Sequence, residues 1–220
     1  MTEMRDVTIP VAGGLPADVI FPDEPKGVVL FAHGSGSSRH SPRNVSVARV
    51  LNDRSLATVL VDLLTPEEDA VDARTAELRF NIPMLADRLA AIVDWMGTDR
   101  ALAPLPVGLF GASTGAAAAL VAAAERPERV RAVVSRGGRP DLAGASLSAV
   151  RAPTLLLVGG LDEQVIVLNE QAKAELGDVA ELRIVPGATH LFEEPGTLEQ
   201  VADEAASWFA GHLTRVARPA

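Results

Sequence analysis

The sequence has no cysteine and no tyrosine among its 220 residues, and only 4% of them are aromatic. Without cysteine there is no disulfide framework, thiolate zinc site, iron–sulfur cluster or thiol nucleophile. Without tyrosine, the phenolic acid used by reductases of the Tyr-x-x-x-Lys kind is missing. The histidines His33, His40, His190 and His212 are never spaced i, i+4 around a glutamate, so no metal centre or cofactor is expected. No apolar run approaches the ~18–20 residues needed to cross a bilayer. Met1 to Asp6 show no basic patch leading into an apolar stretch, so the expectation is a cytoplasmic protein without a membrane partner. Positive charge is also scarce. Lys and Arg number 20 against 29 Asp and Glu, a net charge of −9, the opposite of the balance that nucleic acid attracts.

What is present points to one domain over residues 1–220, long enough to bury roughly 70% of its unfolded surface. Val7-Thr8-Ile9 and Leu15 to Phe21, separated by Gly13-Gly14, read as an antiparallel hairpin. Continuous apolar runs mark strands buried on both faces: Gly27 to Ala32, Ala57 to Asp62, Val107 to Phe110, Val130 to Ser135, Thr154 to Val158 and Val179 to Val185. Helical periodicity lies between them, at Asn44 to Asp53, Pro83 to Met96, Thr114 to Glu125, Val165 to Leu176 and Leu198 to Leu213. The alternation predicts an α/β fold: a mostly parallel central sheet with an antiparallel N-terminal hairpin and helices on both faces. Segment 63–82 reads as a loop with a short helix, and the carboxylates near Pro66 as a solvated face.

Gly111-Ala112-Ser113-Thr114-Gly115 joins a buried strand to a helix. A serine there sits on a tight turn that lifts its hydroxyl above the sheet, over a helix N-terminus that favours negative charge. The plainer alternative is a serine that only caps the helix. A serine nucleophile needs a base held by an acid. Asp162 follows the strand Thr154 to Val158, and His190 follows Val179 to Val185. Loops at the carboxyl ends of parallel strands form such sites, and Ser113, Asp162, His190 is the chain order this architecture uses. Separately, Asp162 reads equally well as a helix cap and His190 as a loop residue.

The oxyanion hole takes one amide from the residue after the nucleophile, Thr114. The second is assigned to Ser35, in the small-residue loop His33-Gly34-Ser35-Gly36-Ser37-Ser38. A nucleotide loop is the rival reading, but Arg39 stands where G-x-G-x-x-G requires its last glycine. His33 is read as structural, positioning this loop.

His33-Gly34, Gly111 to Gly115, the turn from Gly159 to Asp162, and Gly187 to Phe192 together resemble an α/β-hydrolase. More narrowly, the chain is similar to the dienelactone-hydrolase-like branch, some members of which are fused to phosphoribosyltransferase domains; no such partner is recognised in this chain. That branch typically uses a cysteine nucleophile, and Ser113 stands in its place. The resemblance therefore implies general esterase chemistry on a small-molecule ester or lactone, without a cofactor.

Only residues 136–153 separate two successive strands, so no lid domain is expected. Phe192 is the candidate pocket wall, with core packing as its alternative. Arg136, with Arg139, is a candidate for receiving a substrate carboxylate or phosphate, with a solvated loop paired to Asp141 as the alternative. Two rival functions remain on this reading. One passes the acyl group to an alcohol or peroxide, and the other keeps the fold as a non-catalytic binding module.

Overall fold

The computed structural model describes residues 2–213. Strands β1 (Glu3–Ile9), β2 (Leu15–Phe21), β3 (Gly27–Ala32), β4 (Leu56–Val61), β5 (Val107–Ala112), β6 (Val130–Arg136), β7 (Thr154–Gly159) and β8 (Ala180–Val185) form one sheet. Its order is β1-β2-β4-β3-β5-β6-β7-β8. β1 and β2 pair antiparallel with each other, β2 pairs antiparallel with β4, and the remaining neighbours are parallel. All residues of β3, β4, β5 and β7 are buried, which is why they read as unbroken apolar runs rather than as alternation.

The helices are α1 (Pro42–Asp53), α2 (Pro66–Thr75), α3 (Ile82–Met96), α4 (Thr114–Glu125), α5 (Glu163–Leu176) and α6 (Thr197–His212). One core lies between the sheet and α3, α4 and α5, with Leu89, Ile92, Leu120 and Ala172 among its members. The other lies between the sheet and α1 and α6, around Phe31, Phe110, Leu51 and Phe209. This is the two-faced α/β arrangement the alternation predicts.

The differences sit at element ends. Helix α1 starts at Pro42 because Ser41 caps it through the Asn44 amide, and proline suits the first helical position. Strand β8 starts at Ala180, since Val179 closes a 3₁₀ turn. Within segment 63–82, α2 opens on a capping box between Thr65 and Glu68. The solvated-face reading fails for Glu68, which forms paired hydrogen bonds with Arg88 at 2.6 and 2.7 Å. Further along the same helix, Asp72 is 1% exposed. Residues 136–153 form short 3₁₀ turns (Pro140–Ala149) packed on α4 and α5.

Among the described residues, no helix is long and apolar enough to cross a membrane.

Candidate active site

Ser113 stands at the carboxyl end of β5 with φ 50° and ψ −122°. A non-glycine residue at positive φ costs on the order of 1–3 kcal/mol and persists only where its surroundings impose it. Here the flanking glycines do so. A Cβ on Gly111 would lie 2.4 Å from the Ala116 Cα, and one on Gly115 2.4 Å from the Ala32 carbonyl oxygen. Without side chains, β5, α4 and the loop after β3 close onto one another, and the serine between them takes up the sharp turn. It occupies the N-cap position of α4, yet its side chain makes no capping hydrogen bond.

Asp162 repeats the pattern. It is the N-cap residue of α5 and likewise makes no side-chain cap. Its Oδ2 instead accepts from His190 Nδ1 at 2.6 Å. That bond leaves His190 Nε2 as the ring's free base.

The two loops are stitched together: Leu161 N–H donates to Ala188 O at 2.9 Å and Gly160 N–H to Val185 O at 2.8 Å. Glu194 braces the histidine loop, accepting from the Thr189 amide at 3.0 Å and the Thr189 hydroxyl at 2.7 Å. The Thr189 hydroxyl, followed by backbone amides, holds the Glu194 carboxyl below the usual carboxylate range.

Among the described residues Ser113 and His190 are not hydrogen-bonded to each other. Both border the loop after β6. Ser113 N–H donates to Arg136 O at 3.2 Å, and its carbonyl accepts from Arg139 N–H at 3.1 Å. A Cβ on Gly137 would lie 3.1 Å from His190 O and 3.7 Å from His190 Cε1. Asn169, fully buried on α5, fixes this loop by donating to Gly138 O at 3.0 Å. A buried asparagine within a helical pattern is the only sequence signal for that brace.

The loop after β3 closes over the elbow. A Cβ on Gly34 would lie 3.2 Å from Ser113 Cβ, and Ser35 N–H donates to Thr114 Oγ1 at 3.0 Å. The Ser35 amide is therefore beside the serine but engaged by the Thr114 hydroxyl. Both nitrogens of His33 are used internally: Nε2 accepts from Leu63 N–H at 3.1 Å, and Nδ1 lies 2.9 Å from Gly34 O. Since an amide only donates, Nε2 is unprotonated and Nδ1 carries the hydrogen. Burial lowers the His33 pKa despite an opposing hydrogen bond to Gly34. A base with a folded pKa below its unfolded value binds fewer protons when folded. Its stability contribution is complete above the unfolded pKa of about 6.5 and is lost as pH falls below it. Urea unfolding of wild type is expected to show this decline as pH falls below about 6.5, ahead of carboxylate protonation, and His33→Gln to flatten it. An unchanged slope in the variant would refute the assignment.

Beside this loop is a cavity of about 870 Å³, reached by His33, Ser35, Arg39, Leu63, Leu64 and Leu85. Segment 63–82 covers part of it, for Pro66, Asp69, Asp72, Ala73 and Arg79 also line it. Arg79 leans over the loop after β3, 3.2 Å from where a Gly36 Cβ would stand, and is held by Asp72 at 2.6 Å. Burial pushes the Asp72 carboxyl up, but hydrogen bonds from Arg79 and Leu78 outweigh it and keep the pKa low.

Phe192 does not line this cavity. It is 2% exposed, belongs to the α1/α6-side core and has φ 55°, so its ring anchors the histidine loop from below. The Arg136–Arg139 pair also separates: Arg139 is bound to Asp141 by bonds of 2.9 and 2.8 Å, whereas Arg136 is buried at 8% exposure.

An elbow serine after β5, an Asp–His pair after β7 and β8 and a sheet of this order define a hydrolase architecture. Residues 27–192 match the α/β hydrolase fold family, and the chain belongs to it. Within that family it is dienelactone-hydrolase-like. It is 54% identical to the dienelactone hydrolase of Anabaena variabilis, covering 96% of this chain and 99% of that one, with a TM-score of 0.95. The fold is shared more distantly with Est1E from Butyrivibrio proteoclasticus, at 16% identity, coverage of 94% and 98% and a TM-score of 0.78. A Mycobacterium tuberculosis protein named "Putative phosphoribosyl transferase" is 58% identical over 205 residues, 93% of this chain. The chain spans only 44% of that relative's length.

Proposed function

We propose that the protein is a serine hydrolase of carboxylic esters, small acyl esters or lactones, and that its described residues act as one catalytic domain. The observation that carries this reading is the use of two N-cap side chains. Ser and Asp are favoured caps, yet Ser113 caps nothing and Asp162 is turned to His190. In this mechanism Ser113 Oγ attacks the acyl carbon while His190 Nε2 takes its proton. His190 then delivers that proton to the leaving alcohol, and Asp162 stabilises the imidazolium. Water, deprotonated by the same nitrogen, releases the acid.

The Thr114 amide, at the start of α4, and the Ser35 amide receive the oxyanion, with Ser35 turning from Thr114 Oγ1 to the substrate oxygen. The phosphoribosyl transferase name belongs to proteins more than twice as long, so that activity is not carried over.

A fluorophosphonate probe tests the nucleophile directly. Wild type is expected to gain one covalent adduct, mapped to the peptide containing Ser113, and to lose hydrolysis of p-nitrophenyl acetate in parallel. Labelling elsewhere, or none in a protein that still hydrolyses the ester, would overturn the assignment.

A further inference from the structure

Arginines near the site are matched to carboxylates. Arg139 binds Asp141, Arg79 binds Asp72, Arg88 binds Glu68 and Arg39 binds Asp62. Arg136 is the exception. It ends β6, one strand from Ser113, and turns toward the α1 side of the sheet, its guanidinium carbon 5.9 Å from the Phe110 ring centre. It is 8% exposed, and among the described residues it has no carboxylate partner and its Nη1 has no acceptor.

Its charged neighbour is another cation, Arg43, in the first turn of α1. Burial first, and then the charge of Arg43, bring the Arg136 pKa down to about 10. Arg43 Nε is itself buried without an acceptor, and Arg43 Nη1 reaches only Glu193 Oε1, at 3.5 Å. The first turn of α1 contains no acidic residue. Two cations and a helix N-terminus thus converge, and the one carboxylate that reaches them, Glu193, meets Arg43 alone and at 3.5 Å. A buried charge without a partner is expensive enough that native proteins normally supply one.

We propose that Arg136 and Arg43, at the N-terminus of α1, form a binding site for a small oxyanion, a carboxylate or phosphate group. Guanidinium forks take such groups in paired hydrogen bonds, and the α1 amides add to the field. The anion has two possible sources, free in solution or borne by the ester substrate. The site adds to the esterase reading without resting on it, because occupancy is measurable without catalysis.

The test is thermal unfolding of the full chain in rising inorganic phosphate, with ionic strength matched by sodium chloride. Wild type is expected to gain about 3 °C or more, saturably, as ligand linkage requires. Arg136→Met should lose this response and, in chloride alone, unfold at or above the wild-type temperature, since it removes an unpaired buried cation. Arg43→Gln, at a more exposed position, should weaken the response without unfolding the protein. An equal phosphate response in wild type and Arg136→Met, or none in wild type, overturns the site.

The source is read from KM values for p-nitrophenyl esters of a monoacid and of a diacid with a free carboxylate. A substrate-borne anion predicts that Arg136→Met raises KM for the charged ester about tenfold more than for the neutral one. An unchanged KM ratio, with the phosphate response present, assigns the site to a free anion.

Discussion

Replacing Ser113 with alanine should abolish hydrolysis of p-nitrophenyl acetate, lowering kcat by about 10⁴-fold or more while the protein stays folded. The size of the effect follows from the division of labour at the elbow. On the proposed mechanism the amides of Thr114 and Ser35 still receive the oxyanion, but no oxygen is held against the acyl carbon, and His190 has no hydroxyl to deprotonate. Stability should move little, because alanine bears the same positive φ and the Ser113 hydroxyl supports no cap of α4.

Ser113→Gly separates strain from chemistry. Glycine adopts φ 50° freely, so this variant should be equally inactive yet more stable than Ser113→Ala by about 1 kcal/mol, or roughly 2–4 °C in Tm. Calorimetry on the three proteins, with initial rates, checks both halves. Hydrolysis by Ser113→Ala above a few per cent of wild type would sink the nucleophile assignment. A glycine variant no more stable than the alanine one would show that the elbow is unstrained.

Much of this architecture is written locally. Strands such as Gly27–Ala32 and Thr154–Gly159 are legible because burial on both faces demands unbroken apolar side chains. Helix α4 is legible because its alanines and Gly115 permit the close approach to the sheet that Gly111 requires. The chain order of Ser113, Asp162 and His190 is legible because parallel strands gather their carboxyl ends on one edge.

Less is legible where partners are distant. Nothing near Ser35 shows that its amide meets the hydroxyl of Thr114, 79 residues away. Glu68 looks solvated until α3 brings Arg88 to it, and Arg88 also donates to Leu63 O at 2.6 Å. Arg136 and Arg139 are equivalent as letters. The structure separates them because Arg139 has Asp141 two residues on, whereas Arg136 is turned into the α1 side of the sheet. Phe192 shows the same limit: an aromatic residue two positions past His190 reads as wall or core, and its positive φ, which drops the ring into the core, is a property of the folded loop.

The second large effect is expected at Asp162. Asp162→Asn should lower kcat by about 10³–10⁴-fold and leave the fold intact. As a carboxylate, Asp162 accepts the Nδ1 hydrogen of His190 at 2.6 Å and thereby keeps Nε2 free as the base. An asparagine amide can donate to Nδ1 instead. The imidazole hydrogen then moves to Nε2, where the ring cannot take the proton of Ser113. The negative charge that stabilises the imidazolium is lost as well.

Stability should change in the opposite direction or not at all. Position 162 is the N-cap of α5, left without a side-chain cap by the wild-type carboxylate. Asparagine is as good a cap as aspartate. With its Nδ2 turned to His190, its Oδ1 is free to accept an amide of the first turn, adding up to about 1 kcal/mol. The prediction is thus a protein that is far less active and as stable or slightly more so, read from kcat and Tm on one preparation. A loss of activity accompanied by a comparable loss of stability would mean that Asp162 holds the loops together rather than orienting the base. Near-wild-type kcat would remove it from the triad, leaving the 2.6 Å bond a structural one.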